Sequence, residues 1–210
     1  MYCMTAQLNR IPSLDQHTFK NSIISTIGDL SHNHLFNLGR NLEGSFGTGE
    51  YTLDFLSMHS QQEILDVIEH LNVIRSVDLV THQTIASGLR LPSLKNGISR
   101  TLLLKVKENA SQEQLNGLEN DTLAMPNHLK GICNWSLSRT VDNNKWSHVW
   151  QQEYASIEDL SGEYMTHAYH WAWVDRWFDS EMPAYCVEST LCHAFYKLPK
   201  SLLAEIDEII

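Results

Sequence analysis

The sequence has no run approaching the roughly 20 consecutive apolar residues that cross a bilayer as a helix. It also lacks basic excess. Lys and Arg number 15 against 25 Asp and Glu, for a net charge of −10. That balance argues against a general nucleic-acid surface and against docking on anionic lipid, so neither partner is expected. Cysteine is sparse and unpatterned. Cys3, Cys133, Cys186 and Cys192 show no CxxC spacing. The start, Met-Tyr-Cys-Met-Thr-Ala-Gln-Leu-Asn-Arg, has no basic segment leading into an apolar one, so it does not read as a secretory signal. The reading is a cytoplasmic protein whose thiols are reduced and pack as small hydrophobes.

What the chain does have is repetition. Tyr51-Thr-Leu-Asp-Phe-Leu56 and a helix-like run ending at His70 recur 97 residues later as His148-Val-Trp-Gln-Gln-Glu153 and a run ending at His167. The same offset carries the apolar run Met4–Leu8 onto Thr101–Lys105. Copies at a fixed offset mean one unit used twice. Four helix starts share one grammar: Ser13 with Gln16, Ser60 with Glu63, Ser111 with Gln114, and Ser156 with Asp159. In each, a serine hydroxyl can take an orphan amide while the later side chain reaches back. Phe19, Ile23, Ile24, Ile27 and Leu30 follow helical spacing, as do Ile64, Leu65, Ile68 and Leu71.

Strand-like pairs lie between the helices. Leu35–Leu42 and Gly49–Leu56 flank the turn Gly44–Gly49, and Ile132–Thr140 and Lys145–Ala155 flank Val141–Asn144. A last strand is expected near Val80–Gly88 in one copy and Tyr185–Tyr196 in the other. Each copy then reads strand–helix–strand–strand–helix–strand, the ferredoxin-like order. The expected fold is α+β. Two tandem βαββαβ units pack their antiparallel sheets into one intramolecular eight-stranded α/β barrel. The expected division is residues 1–90, a linker at 91–99, and 100–210.

The second copy carries polar groups that the first lacks. Tyr164, His167 and His170 fall on Val67, His70 and Val73. Three-residue spacing can gather them on one side of a helical turn. Histidine exchanges protons near neutrality, and a tyrosine hydroxyl can hold a substrate carbonyl or enolate. The plain alternative is a set of helix-end polar residues without chemistry. Strand alternation puts His148, Trp150, Gln152 and Tyr154 on one face, either lining a pocket with Trp171 or simply filling a mixed sheet face. Trp171, Trp173, Trp177 and Phe178 otherwise read as core aromatics. Zinc held by His167, His170 and Glu163 or Asp175 is disfavoured by spacing, since helical pairs of ligands more often stand four apart. No metal and no cofactor is expected.

These residues resemble the stress-responsive dimeric α/β-barrel family. The resemblance covers about residues 100–196. It rests on Leu102–Val106, Asn134-Trp135, His148, Glu158-Asp-Leu160 and Tyr164-Met-Thr-His-Ala-Tyr-His170. The last string is similar to a Tyr-x-x-His-Pro-x-His signature, with Ala168 in place of proline. Olivetolic acid cyclase-type members, which close a ring without a cofactor, are similar in pattern. The resemblance implies catalytic roles for Tyr164 and His170 and supporting ones for His167 and His148. A first-strand histidine of the family falls near Arg100 or Thr101. Three functions are carried forward. The first is a cofactor-independent lyase, cyclase or isomerase acting on a small apolar carbonyl compound, and the second is a non-catalytic ligand-binding or assembly protein. The third is a haem-handling monooxygenase. The outer faces of the barrel remain available for pairing into a homodimer.

Overall fold

The computed structural model describes residues 1–141 and 143–209. Its first unit runs β1 (Tyr2–Arg10), α1 (Gln16–Leu30), β2 (Ser31–Arg40), β3 (Tyr51–Ser57), α2 (Gln61–Glu69) and β4 (Ile74–Leu89). The second runs β5 (Lys95–Leu104), α3 (Gln112–His128), β6 (Ile132–Thr140), β7 (His148–Tyr154), π-helical turns at Asp159–Tyr164 and His170–Val174, and β8 (Cys192–Lys200). A short helix, α4 (Leu202–Asp207), follows. The strands form one antiparallel sheet in the order β2-β3-β1-β4-β6-β7-β5-β8. Each half has the ferredoxin-like order, and β4 pairs with β6 to join them. The outer strands meet as well: Asn41 bridges to Tyr196 and Phe46 to His193, so the sheet closes on itself.

Local chemistry explains the elements. Ser60 and Ser111 each make the reciprocal cap expected of them. Ser156 and Asp159 do the same before the first π-helical turn. Ser13 does not cap α1. Asp15 takes that place, its carboxylate accepting from Thr18 N at 2.9 Å, because the helix starts two residues later than the serine signal. β5 begins at Lys95, so much of the expected linker is strand and the connecting turn is residues 90–94. β8 starts at Cys192, after an irregular stretch that includes Tyr185. Of the turn expected at Val141–Asn144, Asp142 lies outside the described residues.

The register corrects the repeat by one residue in the first strand. Met4 pairs with Phe55, and Arg100 pairs with Gln152. Met4 therefore corresponds to Arg100, not to Thr101. A slip of one exchanges the two faces of a strand. Arg100 consequently faces the helices, as Met4 does in packing with Phe19, Ile23, Ile64 and Ile68. The units also differ in length after their third strands. Residues 58–73 join β3 to β4, whereas residues 155–191 join β7 to β8.

The barrel interior is small and partly polar. Asp54 accepts from Tyr196 OH at 2.6 Å and from Gln151 Nε2 at 3.1 Å, which ties β3 of one unit to β7 and β8 of the other. Glu153 accepts from Ser201 Oγ at 2.6 Å, Asn134 Nδ2 at 2.8 Å and Leu202 N at 3.0 Å, anchoring the start of α4. Leu202 then packs on Cys3, Leu35 and Leu56. Gly39 lets the seam close, because a Cβ there would stand 2.0 Å from the Tyr196 ring.

Two predictions follow from this interior. Gly39→Val should cost about 1–3 kcal/mol by overpacking the Tyr196 ring, read by urea denaturation. The second concerns pH. Burial pushes the Asp54 carboxyl up to about 6, above the roughly 3.9 of an exposed aspartate. The folded chain then holds a proton that the unfolded chain releases, so this contribution to stability falls as pH rises from about 4 to about 6. Asp54→Asn removes the titration. Its stability relative to the parent should rise across that window by on the order of 2–3 kcal/mol. A constant difference between variant and parent would refute the buried, proton-holding carboxyl.

Candidate functional site

The long β7–β8 connection stands off the sheet where α2 of the first unit lies directly on it. The space left is a cavity of about 530 Å³ on the helix side of the second unit. Its floor is Arg100 and Leu102 of β5 with His193 and Phe195 of β8. Its roof is Leu160, Tyr164, His170 and Val174 from the π-helical turns, with Asp175 and Phe178 beyond. A π-helical turn widens the helix and re-aims its side chains, and such turns recur at functional sites. The first unit supplies one wall. Its loop, with Glu43, Gly44 and Phe46, reaches over the cavity. Phe46 stacks on His193 with ring centroids 5.2 Å apart, and Phe46 and His193 exchange backbone hydrogen bonds of 3.0 and 2.9 Å. Gly47 in this loop has φ +64, and a Cβ there would meet Leu191 O at 1.9 Å. Only glycine combines that backbone with that approach.

Four polar side chains meet in this otherwise apolar space. The Tyr164 and His170 rings lie with centroids 4.6 Å apart. The Arg100 guanidinium carbon stands 4.8 Å from the Tyr164 ring centroid. Arg100 Nε donates to His193 Nε2 at 2.8 Å, and Nη1 donates to the Gln152 side-chain oxygen. Since His193 Nε2 accepts, the proton of that neutral ring sits on Nδ1, which has no partner among the described residues. Burial and then the nearby Arg100 charge push His193 down to about 2. The same two causes, in the same order, take His170 down to about 4. Tyr164 moves up through burial, partly offset by Arg100, so the phenol keeps its proton at neutral pH.

Asp175 Oδ1 lies 3.6 Å from His170 Nε2, too long for a hydrogen bond. Burial and Asp179 raise its carboxyl to about 6. At neutral pH the pair is thus a neutral imidazole facing a carboxylate, poised to draw together when the ring takes a proton.

The sequence-derived site residues divide. Tyr164 and His170 line the cavity together. His167 does not. The helix is interrupted there, and its Nδ1 accepts from Tyr169 N at 3.0 Å within its own segment. His148, Trp150, Gln152 and Tyr154 share the helix-side face of β7, as alternation requires, but the cavity does not reach them. His148 hydrogen-bonds Glu119 at 3.0 Å, and Glu119 in turn takes Arg139 at 2.7 and 2.9 Å. Trp150 is packed among Leu102, Leu118 and Leu137. Tyr154 lies edge-on behind Tyr164 with centroids 6.2 Å apart. Gln152 touches the site through Arg100 alone, its amide nitrogen facing Met125 Sδ. Trp171 points outward, 63% exposed, its indole bound to Met165 O. Val174 and Trp177 take the core role that the aromatic run was expected to serve.

Arg100 and His193 are the site residues that sequence reading missed. The signal was a single charge in the apolar strand Ile98–Leu104 and a single imidazole in Cys192–Tyr196. Among the described residues, no group of three His, Cys, Asp or Glu side chains is placed to hold a metal. Nor is any described helix long and apolar enough to cross a membrane.

Comparison with known proteins agrees with this architecture. An anthrone oxidase-like protein superposes with TM-score 0.63 at 11% identity, covering 94% of this chain and 90% of its own. A candidate monooxygenase from Fusobacterium nucleatum gives 0.62 at 9% identity, covering 95% and 92%. Another, from Lactobacillus acidophilus NCFM, gives 0.58 at 10% identity, covering 95% and 97%. At such identities the likeness is one of fold. No curated protein sequence matches the chain. The family model of the Stress responsive A/B Barrel Domain matches residues 98–190. That match falls on the unit whose π-helical turns and strands β5 and β8 form most of the cavity lining.

Proposed function

We propose that the cavity binds a small, largely apolar carbonyl compound and performs cofactor-free acid–base chemistry on it, of the lyase, cyclase or isomerase kind. One observation carries this reading: a protonated phenol and a neutral imidazole stand side by side, 4.6 Å between ring centroids, at the wall of an apolar cavity. Tyr164 donates a hydrogen bond to the carbonyl oxygen and holds it as negative charge develops. A preorganised donor aimed at developing charge is a large catalytic term in a site closed to water. His170 takes the proton from the adjacent carbon. Asp175, 3.6 Å away, favours the imidazolium that results. Arg100 supplies the positive potential under both rings. His148 and His167, which do not line the cavity, take no part in this step. On this reading the two units are copies of one ancestor, and the second is akin to olivetolic acid cyclase-type members.

A second reading is supported by the low basicity of His170, held to about 4. A base that weak suits a stress-response protein that binds its ligand without turning it over. The two readings part on substitution. With a substrate found by screening apolar ketones, aldehydes and thioesters, Tyr164→Phe should lower kcat about 10²-fold. His170→Ala should lower it by about 10²-fold or more. Unchanged turnover in both variants would refute these roles. Ligand-induced thermal stabilisation without turnover by the parent would favour the binder. The pH profile adds a check. His170 is in its basic form above about 4. A loss of rate on acidification through about 6 would therefore report Asp175, and Asp175→Asn should abolish that inflection.

A further inference from the structure

Arg100 is a buried cation with neutral partners. It is 3% exposed, and its neighbours are the Gln152 amide oxygen, the His193 imidazole and the face of the Tyr164 ring. Among the described residues it forms no ion pair, whereas Arg10, Arg139 and Arg176 each hold a carboxylate within 4.0 Å. A guanidinium cannot shed its charge, and charged side chains are almost never fully buried unless paired. Such burial is costly, and here the charge sits at the floor of a mostly apolar cavity. The two carboxylates that line the same cavity do not reach it. Asp175 stands beside His170, and Glu43 is exposed on the loop of the first unit. At the equivalent position the first unit has Met4, 1% exposed and packed in a core with Phe19, Ile23, Ile64 and Ile68. The charge belongs to the cavity and not to the shared fold.

We propose that the missing counter-ion is the ligand: the cavity takes an apolar carboxylic acid, its carboxylate paired with Arg100 and its hydrocarbon body against Leu102, Leu160, Val174 and Phe195. The guanidinium has five N–H donors, and two are engaged by Gln152 and His193, which leaves donors for a carboxylate oxygen. Tyr164, whose ring lies over the guanidinium, can donate to the same carboxylate or to a second oxygen carried nearby. This rests on the reading of the cavity as a ligand site, and it narrows that reading: a carbonyl compound handled here is an oxo acid. It does not depend on turnover.

Calorimetric titration at neutral pH tests it with two series of probes. One is 4-phenylbutyrate, its methyl ester and 4-phenylbutanol, and the other is octanoate, its methyl ester and octanol. In the parent, each acid should bind about 10–100-fold more tightly than its alcohol or ester, the range of a charge-assisted hydrogen bond in a water-poor site. Arg100→Gln should erase that preference, and Arg100→Lys should keep part of it. If alcohol and ester bind as tightly as the acid in the parent protein, the assignment of a carboxylate falls while the cavity remains a ligand site. That comparison needs no variant, so misfolding cannot obscure it. If none of the six probes binds, the ligand-site reading falls and takes this one with it.

Discussion

A ferredoxin-like sheet has two faces and only enough helix to cover one. Burying the second face is the constraint on which this structure depends. The chain meets it with a second sheet of the same order, joined at two seams. β4 pairs with β6 along one, and on the other β2 and the loop after it meet β8. Closure removes free strand edges, which otherwise invite pairing between chains. It also places Asp54 of one unit where Tyr196 and Gln151 of the other donate to it. A buried carboxyl with such partners has few alternative arrangements, so the polar interior fixes how the halves meet.

With the inner faces committed to each other, the cavity opens on the helix side. There the two units diverge for a simple steric reason. The short connection of the first unit draws α2 onto the sheet, and Ile64 and Ile68 fill the space over Met4. The longer connection of the second unit is interrupted by π-helical turns and cannot settle as closely. The same strand position is methionine beneath a filled core in one unit and arginine beneath a cavity in the other. Arg100 is thus a buried charge held by the neutral side chains of Gln152 and His193, an arrangement that burial penalises.

Much of this architecture is legible in the sequence because it comes from local rules. The serine caps at Ser60, Ser111 and Ser156, the strand Ile132–Thr140 and the repeat of β3 in β7 all follow from neighbours in the chain. What could not be read is what depends on partners far away. The offset of the first strand was misplaced by one residue, since apolar runs such as Met4–Leu8 and Leu102–Val106 do not declare which side faces the helices. That single step hid Arg100. The pairing of Tyr164 with His170 followed from spacing, but helical periodicity gathered His167 with them. A π-helical turn follows a different period and turned it away. The face holding His148, Trp150, Gln152 and Tyr154 was read correctly as one face. Whether α3 or open space would cover it was a tertiary fact, and α3 with Glu119 and Met125 covers it.

Phe46 sits at 53% exposure on a loop of the first unit while its ring lies flat on His193 of the second. The first unit thereby furnishes the threshold of a cavity built mainly by the second. Glu43 and Phe46 line the cavity from the first unit while Tyr164, His170 and Arg100 line it from the second, so the two units shape one space from separate stretches of the chain. Severing the halves would leave the second with the His193 ring unshielded and the cavity open on the side that Phe46 covers.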